Sequence, residues 1–280
     1  MEYKAETRAM DISELELVLS WAANEGWNPG LADAAAFHAA GPGGFFLTCV
    51  DGDPVAAISV VNHDERNAFL GLYICRPDWR GKGLGMMTWQ FAIKHAGARS
   101  IGLDGLPDQE ENYRASGFIK TGSSLRHEGR VEARESQNVR SAQRGDLDIL
   151  RALDERANGF PRPAFIAAWL QERVGRRGTR VLLRDGRICG FATWRACQNG
   201  TKIGPIVAPD LAAALELVSD IAALRLDGPL IIDVPEANHD LRRELEHNGF
   251  SIPFVTARMY RGAAPHSGEA LQAIATMELG

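Results

Sequence analysis

The chain has 280 residues, 45% of them hydrophobic and 24% charged, a balance that matches a soluble globular protein and excludes long disorder. A formal net charge of -5 argues against a general nucleic-acid binder, which needs an excess of Lys and Arg on one face. No apolar run approaches the roughly 18 residues of a membrane span and the start, Met1 to Glu6, has no apolar signal core, so a cytoplasmic location without membrane or nucleic-acid partners is expected.

Behind an Asp11/Ser13 cap, Ile12, Leu15, Leu17, Val18, Leu19 and Trp21 recur at near-helical spacing and predict a helix over 13–25. A loop at Gly26-Trp27-Asn28-Pro29-Gly30 precedes an Ala-rich helix over 33–40, stopped at Gly41-Pro42 because proline cannot continue the ladder. Runs at 44–50 and 55–62 flank Asp51-Gly52-Asp53-Pro54 and read as a hairpin. A third β-prone run, 68–75, leads through Arg76-Pro77-Asp78-Trp79 into the loop Arg80-Gly81-Lys82-Gly83-Leu84-Gly85. A helix with a wide apolar surface follows over 84–95. Then come a buried strand at 100–104, a short helix at 109–116 and a strand from Phe118. Hairpins combined with one β-loop-α-β crossover predict a mixed sheet.

The polar stretch 126–136 reads as the joint between halves, or as a long exposed strand end. Beyond it the order partly repeats: helices over 146–158 and 163–174, a hairpin of 179–184 and 188–196, a strand at 201–207, a helix over 211–225, a strand at 229–233, a helix over 239–247 and a strand at 250–260. Tyr113 to Phe118 and Leu245 to Phe250 both close a helix with Gly-Phe. Two copies of one α/β (α+β) fold are therefore expected, at 1–130 and 137–262, with a weakly packed tail or extra helix over 263–280. The length of the chain fits two modest domains. Cys49, Cys75, Cys189 and Cys197 show no Cys-x-x-Cys pairing and read as buried reduced thiols. His239 and His247 lack metal-binding spacing, so no metal is expected. Arg173, Arg176, Arg177 and Arg180 read as a solvated face, or as a receptor for an acidic partner.

The glycine-rich loop carries chemistry. A helix amino end binds a pyrophosphate through free N–H groups and the positive end of its dipole, and Gly81, Gly83 and Gly85 allow close approach. Arg80 adds a fork for phosphate oxygens and Lys82 a point charge. The loop is neither a Walker loop nor a Gly-x-Gly-x-x-Gly dinucleotide fingerprint. Its setting sharpens it: a strand ending Leu72-Tyr73-Ile74, Arg76-Pro77, the loop, an apolar helix, then Asn112-Tyr113 with Gly117-Phe118. Together these resemble the GNAT superfamily of acyl-CoA-dependent N-acyltransferases over about residues 8–125.

The resemblance implies two GNAT-like domains, each a mixed, mostly antiparallel sheet flanked by helices. It implies acetyl-CoA as cosubstrate, with the pantetheine arm on Leu72, Tyr73 and Ile74 and the pyrophosphate on Arg80, Gly81, Lys82, Gly83, Leu84 and Gly85. Tyr113 matches the tyrosine that protonates the departing thiolate; the alternative is a ring that caps the core. Leu106 stands where many members have an Asn, and Asn112 is the substitute candidate for the cofactor contact. The strand carboxylate that often serves as base is absent, Leu70 and Gly71 occupying that region. Presenting a Lys-like amine neutral at pH 7 costs about 4.6 kcal/mol, so a proton acceptor is needed. Asp104 is the first candidate, with Glu25 and the Asp64/Glu65 pair behind it. Trp27 and Asn28 are candidates for acceptor contact, Trp27 equally for anchoring its loop. In the second copy, 204–210 lacks the loop and Leu245 takes the tyrosine position, so that copy is expected to wall the acceptor site. The expected activity is acetyl transfer to the primary amine of a small metabolite. The alternatives are protein or peptide N-acetylation and a non-catalytic acyl-CoA sensor. No oligomeric state follows from the chain.

Overall fold

Asp11 accepts from the Glu14 backbone while Glu14 reaches back to the Asp11 backbone, and this capping box starts α1 (Ile12–Asn24). The computed structural model describes residues 4–280; Met1 to Tyr3, the first part of the amino-terminal signal reading, lie outside the described residues. The first copy continues with α2 (Asp33–Ala40), β2 (Phe45–Val50), β3 (Asp53–Asn62), β4 (Asn67–Cys75), α3 (Leu84–Ala92), β5 (Ser100–Gly105), α4 (Glu110–Ala115) and β6 (Ile119–Gly129). Ahead of them lies β1 (Ala5–Ala9), an edge strand on β2 that the sequence does not predict. Its residues are mostly exposed, so it has no apolar alternation to read.

The second copy repeats this order: β7 (Val139–Ser141), α5 (Leu147–Asn158), α6 (Pro163–Trp169), β8 (Arg177–Arg184), β9 (Arg187–Ala196), β10 (Thr201–Val207), α7 (Leu211–Ala223), β11 (Leu230–Pro235), α8 (His239–His247) and β12 (Ser251–Arg261). The architecture is the expected one, a mixed and mostly antiparallel sheet flanked by helices, with the two copies joined edge to edge into one 13-stranded sheet. The order across it is β1-β2-β3-β4-β5-β12-β6-β11-β10-β9-β8-β7. The last strand of each copy is thus inserted into the other: β12 pairs with β5, β6 pairs with β11, and β6 and β12 pair at the centre.

This exchange corrects the first part of the stretch read as a joint or exposed strand end: 126–129 belongs to β6, while 130–136 is the mostly exposed connection to β7. Arg126 and His127 lie buried in the central strand β6, and Arg126 makes a bidentate ion pair with Asp233 of β11 at 2.8 and 3.0 Å. Arg177 is likewise no surface charge. It and Arg195 grip buried Asp33 of α2 and both lie over the Trp169 ring, which ties the helices of the two copies together. Arg180 pairs with Asp220, while Arg173 remains exposed. The four cysteines are free thiols, two buried and two partly so.

The segment after β12 is not helical, and it is loosely packed only over 262–270, which is mostly exposed. Residues 272–280 are buried, with β13 (Leu271–Ala273) pairing with β10. From there the chain crosses between the copies. Ile274 donates to the Asp233 carbonyl, Arg195 donates to the Ala275 carbonyl, His63 donates through Nε2 to the Leu279 carbonyl at 2.8 Å, and Arg162 donates to the Gly280 carbonyl. The polarity of 263–269 hides this packing from a composition-based reading, whereas the apolar Leu271, Ile274, Met277 and Leu279 carry it.

Candidate active site

β4 and β5 run parallel and hydrogen-bonded only from Asn67/Ser100 to Leu70/Leu103, then diverge. At the point of divergence β4 bulges. Leu72 and Tyr73 together oppose Ile58 of β3, and Leu72 takes a left-handed φ of 48°, rare for a branched residue. The gap opens a cavity of about 640 Å³, lined by Leu70 to Cys75, by the loop and first turn of α3, by Leu103 to Leu106 and by Tyr113. Leu72, Tyr73, Ile74, Arg80, Gly81, Gly83, Leu84, Gly85, Asn112, Tyr113 and Asp104 are thereby brought to one cavity.

Gly81 and Gly83 have φ of 75° and 80°, positions that a side chain would strain. Gly83 is the N-cap of α3 and no side chain caps it; the first helical bond is Met87 N–H to the Gly83 carbonyl. The N–H groups of the first turn therefore have no helical acceptor and are available to an anion. Arg80 is pinned to the Cys75 carbonyl and the Glu25 carboxylate, and Lys82 lies 4.2 Å from the Trp79 ring centre while donating to the Asp78 carbonyl, so Lys82 stands beside the loop rather than in the cavity wall.

Tyr113 of α4 stacks on Trp89 at 5.9 Å and meets Phe118 edge-on at 6.5 Å. A Cβ on Gly105 would lie 2.2 Å from its ring, so the glycine on β5 admits the tyrosine. Its hydroxyl has no hydrogen bond to another described residue, and burial, with Tyr73 nearby, pushes its pKa up to about 12. It holds its proton at any working pH.

Among the described residues, three carboxylates line the cavity: Glu25, Asp104 and Glu278. Glu25 is paired with Arg80. Asp104, the first candidate for the base, has a fully buried side chain whose oxygens accept from Ser124, Thr256 and both Nε and Nη2 of Arg258, at 2.6 to 3.2 Å. Burial pushes its pKa up and the Arg258 guanidinium pulls it back. Its acceptor capacity is filled, the geometry of a structural carboxylate that fixes β12 to β5. Asp64 closes the β3–β4 turn by accepting from the Arg66 and Asn67 backbones, and neither it nor Glu65 reaches the cavity. Trp27 lines the cavity and its carbonyl accepts from Arg126 and Lys202, both at 3.0 Å, so ring and backbone serve the two roles considered for it. Asn28 does not line it: its side chain is tied to the Asn199 backbone at 2.8 and 3.2 Å and bridges the copies.

The remaining wall was not predicted. Arg126, Phe254, Thr256, Met277 and Glu278 come from the exchanged strands and the terminal segment, about 40 to 200 positions from the loop motif in sequence, and no local pattern announces them. The one signal available was negative: Gly71 in place of a carboxylate.

The second copy shows why it lacks an equivalent site. β10 bulges at Gly204 and Pro205 as β4 does at Leu72 and Tyr73, and β10 parts from β11 after Lys202/Ile231. The gap is filled by β13, which pairs with Ile206 and Val207 of β10. The amino end of α7 is closed as well, since Asp210 caps it by accepting from Ala213 N–H at 2.8 Å. A carboxylate there takes the donors and repels phosphate.

A splayed mixed sheet with an uncapped helix at its open end defines an acyltransferase of the GNAT type, and comparison with known proteins agrees. The acetyltransferase (GNAT) family model matches residues 12–122 and an acetyltransferase (GNAT) domain model matches 150–272. A holothin acyltransferase of Pseudoalteromonas sp. (strain SANK 73390) is 34% identical over 280 residues, covering 98% of this chain and 94% of the relative. The chain belongs to the GNAT family and is an acyltransferase with two GNAT units in tandem. Among solved structures, a putative acetyltransferase from Pyrococcus horikoshii superposes with a TM-score of 0.81 at 18% identity, over 99% of this chain and 96% of that one. A tandem GNAT protein from the clavulanic acid biosynthesis pathway gives 0.64 at 15% identity, over 95% and 100%. At these identities the likeness is one of fold.

Proposed function

We propose that this chain transfers an acetyl group from acetyl-CoA to the primary amine of a small metabolite by direct attack. The observation that carries the reading is that one cavity joins an uncapped helix amino end to an unpartnered tyrosine hydroxyl that stays protonated. The α3 amino end and the Arg80–Gly85 loop suit the pyrophosphate, and the unpaired inner edge of β4 suits a pantetheine arm lying as an extra strand. Backbone N–H groups at the Leu72 bulge are the natural donors to the oxyanion. Tyr113 then protonates the thiolate.

A small acceptor fits the closure of the site. Trp27, Phe254, Met277 and Glu278 wall it where a peptide substrate needs an open groove. The relative's name, holothin acyltransferase, supports acyl transfer as the chemistry. Free thiol release from acetyl-CoA should be followed with a panel of small primary amines and, separately, lysine-containing peptides. Transfer to the small amines is the expected result. Preference for peptides would assign a protein acetyltransferase, and tight acetyl-CoA binding without transfer to any amine a sensor.

A further inference from the structure

Resting on the amine acetyltransferase reading, we propose that Glu278, carried by the terminal segment of the degenerate copy, is the base that removes the proton from the acceptor amine in the first copy's site. The strand that would supply a carboxylate has Gly71 instead, and Gly71 is where the terminal segment docks. A Cβ there would lie 2.1 Å from the Glu278 carbonyl oxygen and 2.9 Å from its Cα. The backbone of Glu278 thus rests on β4 at the mouth of the splay, next to the Leu72 bulge. Gly204, in the corresponding bulge of β10, receives the same segment, its Cβ position 2.3 Å from the Ile274 carbonyl oxygen. The segment passes a glycine at or beside the bulge of each copy and delivers its carboxylate to the first.

Of the three carboxylates in the cavity wall, Glu278 alone has no ion-pair partner among the described residues. Its side chain accepts from the Thr276 hydroxyl, which leaves acceptor capacity for an ammonium. The charged groups around it are Arg126 of β6, Arg195 of β9 and Lys202 of β10, with Asp233 of β11 paired to Arg126. Across the cavity Asp104 is neutralised by Arg258, and His63 holds the neighbouring Leu279 carbonyl.

The reaction balances as follows. An ammonium acceptor gives one proton to the Glu278 carboxylate, which passes it to solvent. The neutral nitrogen attacks the thioester carbon, the N–C bond forms and the C–S bond breaks. The Tyr113 proton goes to sulfur, and the excess proton of the nitrogen returns to the Tyr113 phenolate through water. The products are the amide, CoA thiol and one solvent proton.

The test uses the full chain with acetyl-CoA and primary amines of graded basicity. Wild-type turnover comes first: its absence removes the acetyltransferase reading itself, whereas turnover that does not depend on Glu278 removes only the present proposal. Glu278→Gln, close in size, should lower kcat by about 10²- to 10⁴-fold with the KM for acetyl-CoA unchanged. The defect should shrink by about tenfold per pH unit towards the pKa of the amine, and shrink likewise with less basic acceptors, because solution then supplies the neutral nitrogen. Glu278→Asp, which keeps the charge one methylene away, should retain more activity than the Gln variant and reports on the same dependence if Glu278→Gln does not fold. A folded Glu278→Gln enzyme near the wild-type rate, or a loss equal at every pH and acceptor basicity, overturns the proposal.

Discussion

A tyrosine serves as an acid only while it holds its proton, and the burial that takes Tyr113 to about 12 guarantees this. Passing that proton to a thiolate near 8.5 is uphill in water, so the transfer must accompany C–S cleavage in a site whose dryness also raises the thiolate. Tyr113→Phe should therefore lower kcat by about 10²-fold or more and leave the acetyl-CoA Kd, read by calorimetry, within about twofold. His63 acts on stability instead. Burial first, then Arg162, takes its pKa from 6.5 down to about 4, and the carbonyl of Leu279 selects the Nε2–H tautomer. Between those values the unfolded chain binds a proton that the folded chain refuses. Stability is therefore flat above about pH 6.5 and falls as pH drops towards 4, by on the order of 1–2 kcal/mol after allowance for partial solvent contact. The melting temperature of His63→Gln should show a shallower decline over pH 6.5–5. Tyr113 and the glycine loop were legible in the sequence because their chemistry is local. The commitment of Asp104 was not, since Arg258 lies far along the chain.

Among elements, α3 and α7 are counterparts whose amino ends differ by one side chain. Gly83 leaves α3 open, while Asp210 closes α7. Asp210→Ala should cost about 1 kcal/mol in denaturant unfolding and leave transfer unchanged, because β13 still fills that groove. Gly71→Ala meets backbone, not a flexible side chain, so it should displace 277–280 from β4. Transfer should fall sharply and protease susceptibility of the terminal segment should rise. The long periodic helices and the hairpins were readable from pattern. β1 and β7 were not, because short edge strands show too few alternations, and α6 ends at Trp169 rather than near Val174 because the chain turns to pair Arg173 with Arg177.

For the whole molecule, repetition revealed two copies but could not say which strand joins which sheet, since β6 and β12 have equivalent patterns and either arrangement satisfies them. The exchange makes the copies interdependent. β6 has partners only in the second copy's strands, and Arg126 buries its charge against Asp233. Thermal unfolding should give one calorimetric transition, with van't Hoff and calorimetric enthalpies in agreement. Residues 1–130 alone should fail to give a monomeric, cooperatively melting protein, as β5 and β6 would each expose an unpaired edge.

The terminal segment carries this interdependence into synthesis. Chains emerge from the ribosome amino end first, and the glycine loop, Tyr113 and the β4 bulge are all in place early. The wall formed by Met277 and Glu278 is translated long after them, and the contacts that seat it span about two hundred positions. A nascent chain can thus gain its cosubstrate-binding surface well before its acceptor pocket. Emergence of residues 272–280, rather than completion of the first GNAT unit, sets when the pocket closes.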